Sequence, residues 1–133
     1  MTLHPKAFLL FCATGLVPIA LSYGFNPALS LEWLYGIQVE SINLVHIMRA
    51  VMGLYIGMVV LWLWGAFSKP MEGPALVACA VFMLGLAAGR ILSFVLDGLP
   101  HWLLVVYAVL EILLGLIAVI LFKSKISDGN PGS

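Results

Sequence analysis

The chain of 133 residues is 63% hydrophobic and only 9% charged, its six basic and six acidic side chains cancel, and its mean hydropathy is +1.14. Ordinary globular domains carry about a quarter charged residues, so these few cannot solvate a water-facing surface, and most of the solvent must be lipid. The neutral balance also removes the basic surface on which nucleic-acid binding depends, and the length suits one domain.

A hydrocarbon core about 30 Å thick takes roughly 20 apolar residues per helix, and a helix pairs its backbone groups within its own segment. Four runs of that length predict an all-α membrane protein, a four-transmembrane-helix bundle with spans at about 7–25, 43–67, 74–96 and 101–122. The first, preceded by Lys6, has the layout of a signal peptide but lacks a small-x-small cleavage site and reads as retained, with a kink expected at Pro18. Residues 26 to 42 are too apolar for free solvation and too interrupted to span, so they are expected to lie in the interface as a lid on the bundle or a partner-binding helix.

Lys69, Pro70, Glu72 and Pro74 separate the second span from the third, and Asp97, Gly98 and Pro100 separate the third from the fourth. Pro74 and Pro100 suit first-turn positions of the helices that follow them. Residues 1–123 thus form a single domain, and 124–133 read as a flexible polar tail.

Lys6, Lys69, Lys123 and Lys125 fall on one side of these spans, whereas the opposite connections carry Glu32, Glu40 and Asp97 without Lys or Arg. The preference of basic residues for the cytoplasmic side places both termini there. Trp33, Tyr35 and Trp102 then fit an outer aromatic belt, and Trp62 and Trp64 an inner one. Cys12 and Cys79 fall near the cytoplasmic ends of their helices, where a reducing compartment keeps thiols free.

Three charged side chains fall inside the spans, and such residues are costly in lipid and face the bundle interior. A rise of about 1.5 Å per residue puts Arg49 about 9 Å, Arg90 about 10 Å and Glu111 about 15 Å below the outer ends of their helices. Residues three, four and seven apart share a helix face. His46, Arg49, Gly53 and Gly57 therefore form one stripe, Leu86, Arg90, Ser93 and Asp97 a second, and Leu104, Tyr107, Glu111 and Gly115 a third. The GxxxG spacings at Gly53/Gly57 and Gly85/Gly89 suit close helix packing within the bundle or between two copies.

Glu111 is expected to accept hydrogen bonds from Arg49 or Arg90, since an unpaired guanidinium in hydrocarbon is strongly unfavourable. That layer is compatible with a purely structural ion network. It is equally compatible with an outward-facing polar pocket in which His46, Arg49, Arg90, Ser93, Asp97, Tyr107 and Glu111 bind an amphipathic or anionic small molecule or a lipid headgroup, with His101 near the mouth.

Other chemistry finds no motif. His4, His46 and His101 fall at different depths without haem or metal spacing, and no CxxC, serine elbow or phosphate-cradling loop occurs. No cofactor, metal or catalytic set is assigned.

The run from His46 to Tyr55 (HIMRAVMGLY), Gly89 to Ser93 (GRILS), Asp97 to Pro100 (DGLP) and the helix-borne Glu111 together resemble domain-of-unknown-function family 4345, small bacterial four-helix membrane proteins. The resemblance covers about residues 43 to 122, with the segment before it similar mainly in layout. It implies a four-helix unit in a bacterial inner membrane, makes Arg49, Arg90, Asp97 and Glu111 family-like, and carries no activity.

Three functions remain open. The first is a binding protein for a membrane lipid or small amphipathic ligand. The second is an accessory or structural subunit that docks a membrane-complex partner or a second copy. The third is a small membrane enzyme using Glu111 or Asp97 as acid or base with His46 carrying a proton.

Overall fold

The computed structural model describes residues 3–129 and folds them into five helices, α1 (Pro5–Gly24), α2 (Pro27–Tyr35), α3 (Ile42–Phe67), α4 (Lys69–Asp97) and α5 (Trp102–Gly129). Four of them, α1, α3, α4 and α5, are long and apolar enough to cross a membrane. Phe11, Leu54, Val81, Val95 and Ile120 are more than half exposed around the bundle. So much apolar surface is a lipid-facing exterior, since a protein in water covers contiguous patches of that size.

The helix ends follow local rules. Pro5, Pro27 and Pro70 occupy first-turn positions, where a missing N–H costs nothing. Ser41 caps α3 by accepting from the Asn43 N–H at 3.1 Å, and His101 Nδ1 accepts from the Leu103 N–H at 3.2 Å at the start of α5. Gly36 ends α2 at φ +71°, a left-handed conformation that glycine adopts without strain, and the Gly36 and Ile37 N–H groups satisfy the last carbonyls of α2.

Pro74, expected to open the third span, lies inside a helix that already starts at Lys69, because Pro70 fills the first turn. Pro100 precedes α5 within the turn rather than standing in its first turn. The interfacial segment after α1 contains a two-turn helix, α2, whose Leu31 and Tyr35 are buried against the bundle. The polar tail expected from residue 124 continues α5 as helix to Gly129, helped by Lys125, which reaches Glu72 on α4 at 3.1 Å. Residues 130–133 of that tail lie outside the described residues.

α1 packs chiefly on α3, α3 on α4 and α4 on α5, while α2 lies across α1 with smaller contacts to α3 and α5. α1 and α5, the first and last helices of this row, have no interface of comparable size. Close approach depends on isolated glycines. A side chain at Gly24 would collide with Met52 and the backbone of α3, one at Gly65 with Ala75 and the Met71 carbonyl, and one at Gly115 with Leu84.

The four GxxxG glycines behave otherwise. Gly53, Gly57, Gly85 and Gly89 have nothing within 4 Å of where a Cβ would stand, so they do not mediate packing inside the bundle. Lipid is as apolar as the core, and an apolar helix therefore does not announce which face is turned inward. Trp62 departs from the inner aromatic belt for the same reason: it is fully buried, edge-on to Phe82, while Trp64 is exposed.

Candidate functional site

The centre of the bundle holds one ion pair between α4 and α5. Arg90 Nε donates to Glu111 Oε1 at 2.6 Å and to Oε2 at 3.2 Å, with the two side chains 19% and 9% exposed. The Arg90 guanidinium carbon stands 5.8 Å from the centre of the Tyr107 ring, and Tyr23 of α1 lies beside the guanidinium. Charge, carboxylate and two tyrosines thus converge from three helices.

Above this pair, towards α2, three hydroxyls link elements distant in sequence. Ser22 on α1 is 2.8 Å from the Tyr35 hydroxyl on α2, which is 3.0 Å from the Tyr107 hydroxyl on α5, and Ser22 itself donates to the Ile19 carbonyl at 2.6 Å. Tyr35 was expected in the outer aromatic belt; instead its ring is 5% exposed and packs against Tyr23, Tyr107 and His101. Burial pushes the Tyr35 phenol above the ordinary tyrosine range, so it stays a neutral donor and acceptor.

Two cavities flank the pair. One, of about 130 Å³, occupies the gap between α1 and α5. Gly15 and Ile19 form one wall, Leu110 and Leu114 the other, and Arg90, Tyr107 and Glu111 its polar end. The second, of about 560 Å³, opens between α3 and α4 past Gly85, Gly89 and Ser93 and ends at the same Arg90. Tyr55, Leu86 and Arg90 line both and form the partition between them.

Of the seven sequence candidates, Arg90, Tyr107 and Glu111 come together. Ser93 and Asp97 are joined to each other at 2.8 Å on the exposed side of α4, with Ser93 at the edge of the second cavity. Arg49 does not reach Glu111: its Nη1 donates to the Gly24 carbonyl at 3.1 Å and the Phe25 carbonyl at 3.3 Å. These carbonyls belong to the end of α1, where the last turn has no helical donors left and attracts a cation. The Gly24 contact brings α3 close enough for Arg49 to serve as that cap. His46 is exposed on α3 and joins neither cavity nor the hydrogen-bonded layer.

Sequence reasoning missed Ser22, Tyr23, Tyr35 and Tyr55. The four tyrosines of the chain, Tyr23, Tyr35, Tyr55 and Tyr107, are dispersed in sequence and meet only through the fold. Cys12 and Cys79 are both buried free thiols, with Cys12 at the edge of the α1–α5 cavity. Among the described residues no three His, Cys, Asp or Glu side chains gather closely enough to hold a metal ion.

No curated protein and no solved structure matches the chain. A family model does match, over residues 5–122, and so takes in α1 and α2 as well as the stretch that carried the resemblance in the sequence. With its four apolar helices in place, the chain belongs to the family described as Domain of unknown function (DUF4345).

Proposed function

We propose that the protein binds a membrane-soluble amphipathic molecule in the cleft between α1 and α5, its polar head hydrogen-bonded at the Arg90–Glu111 layer. The observation that carries this reading is the use made of Arg90. Glu111 engages the guanidinium through Nε, and Arg90 lines a cavity on either side of it. A planar fork of five donors held through one nitrogen has capacity for an acceptor such as a carbonyl or hydroxyl oxygen.

Glu111 already neutralises Arg90, and Arg49 is committed to the end of α1. A head group without net charge therefore fits better than an anion, whose charge would stay uncompensated in this setting. The apolar remainder of the ligand lies between the α1 and α5 walls, reached sideways from the bilayer.

Native mass spectrometry of gently extracted protein tests the proposal against Gly15→Leu, whose new side chain enters the cleft where nothing lies within 4 Å. The unaltered protein retains a defined amphipath and the variant loses it while melting normally. Identical adducts on both proteins would refute the reading.

A second reading, a homodimer, draws on the open glycine faces at Gly53/Gly57 and Gly85/Gly89. It requires Gly57→Cys or Gly89→Cys to give a disulfide-linked dimer in native membranes, and purely monomeric protein under oxidation excludes it. For orientation, we place the lysine-bearing end of the bundle in the cytoplasm of a bacterial cell, with both termini there. Labelling of Ser124→Cys only after the inner membrane is permeabilised tests that placement.

A further inference from the structure

The seam between α1 and α5 carries a second cavity at the lysine end of the bundle, of about 630 Å³, which the proposal above does not use. Ile117 and Ile120 of α5 form an apolar wall leading into the bundle, and the charged groups around it are Lys69, Glu72, Lys125 and Asp128. Among the described residues these two cations and two carboxylates balance while leaving both signs of charge in the cavity, and His4 adds an imidazole to its lining.

One pair is already satisfied, because Lys125 Nζ lies 3.1 Å from Glu72 Oε1 and that carboxylate is almost fully buried. The other two, Lys69 at the start of α4 and Asp128 near the end of α5, enter no ion pair among the described residues. They come from different helices, are both exposed, and line the same cavity. Both stand at helix ends where a spanning bundle meets the phosphate region of the bilayer.

We propose that this cavity takes the head group of a zwitterionic phospholipid that carries a primary ammonium. Lys69 binds the phosphate, Asp128 accepts hydrogen bonds from the ammonium, and an acyl chain lies along Ile117 and Ile120 in the α1–α5 seam. An anionic lipid answers Lys69 alone and leaves Asp128 facing its own sign of charge. A quaternary ammonium cannot donate to the Asp128 carboxylate. The primary-ammonium head satisfies both groups, and charge-assisted hydrogen bonds of this kind are the strong ones.

The test reconstitutes the full chain in vesicles of equal parts phosphatidylethanolamine, phosphatidylcholine and phosphatidylglycerol, then reads retained lipid by native mass spectrometry. The expected result is an enrichment of the ethanolamine lipid by about tenfold over each of the others, the effect of one well-placed charge-assisted hydrogen bond. Asp128→Asn abolishes the preference over the glycerol lipid, Lys69→Gln lowers retention of all three, and both variants melt as the unaltered protein does. Equal retention, a preference for the glycerol lipid, or a preference unchanged in Asp128→Asn overturns the proposal. Gly15→Leu leaves the enrichment intact, so this site and the mid-bundle cleft succeed or fail separately.

Discussion

Two seams of the bundle are built on opposite principles. Where α3 turns into α4, a single residue, Ser68, joins the helices and Gly65 lets Ala75 and the Met71 backbone press directly against α3. Between α1 and α5 no chain connection exists and no glycine is closed upon. Gly15 faces open space, and contact across the gap is delegated to the Ser22–Tyr35–Tyr107 hydroxyls and the cavity walls below them. A seam closed by backbone proximity is a structural joint, whereas a seam bridged by hydroxyls leaves a cavity beside them, and that is where the proposed ligand is placed.

The largest expected effect tests the ion pair at the polar end of the open seam. Glu111→Leu leaves Arg90 buried without its carboxylate and should cost about 3–5 kcal/mol of stability. Arg90→Leu combined with it should recover part of that loss, while Arg49→Leu, which acts at the end of α1, should combine additively with Glu111→Leu. Thermal melts in one detergent measure all of these, and additive losses for the Arg90 double variant would dissolve the pairing.

Next in size is a direct contrast of the seams. Gly65→Leu forces a side chain into Ala75 and the α4 backbone, and overpacking of this kind costs about 1–3 kcal/mol, whereas Gly15→Leu should leave the melting temperature unchanged. Equal losses at the two sites would mean that the α1–α5 seam is as closed as the other.

Tyr35→Phe removes both hydrogen bonds of the bridge and should cost about 1 kcal/mol for each. The same residue gives a pH signature. Because burial raises its pKa, the native state holds the phenolic proton more tightly than the unfolded chain does. Its contribution is complete below the ordinary tyrosine value of about 10 and declines as pH rises beyond it. Melts from pH 7 to 11 should therefore show an alkaline loss that is smaller in Tyr35→Phe, and an identical decline in both proteins contradicts the bridge.

The smallest change concerns the lysine end. Lys125 is 32% exposed on its side chain, so Lys125→Gln, which breaks its pair with Glu72, should cost no more than about 1 kcal/mol. A larger loss would show that the buried Glu72 carboxylate depends on that cation.

Much of this architecture was legible in the chain itself. Length and hydropathy locate the four spans because lipid imposes helices of fixed length, and the cost of an isolated ion demands a cationic partner for Glu111 without deciding between Arg49 and Arg90. Rotation of each helix was not legible. In water the polar face names itself, but in lipid an apolar face can look inward or outward at equal hydropathy. That is why Gly53, Gly57, Gly85 and Gly89 turned outward while Gly24, Gly65 and Gly115 did the packing. Arg49 failed for a different reason. Its depth and stripe matched those of Arg90, but the carbonyls at Gly24 and Phe25 offered a nearer partner, and backbone acceptors leave no mark in a sequence. Tyr35 was misplaced because an amphipathic ring suits a belt and a buried bridge equally well.

The one-residue turn at Ser68 also bears on how the molecule is assembled. With so short a closure, α3 and α4 meet at little entropic cost and can enter the bilayer as a ready-made hairpin. α1 packs on the free side of α3 and α5 on the free side of α4, each against a partner close to it in sequence. The row extends in both directions from the hairpin, and the boundary between its two ends is the one without a broad interface. Among the described helices it is the one that joins the first to the last, and so it closes only once α5 is in place.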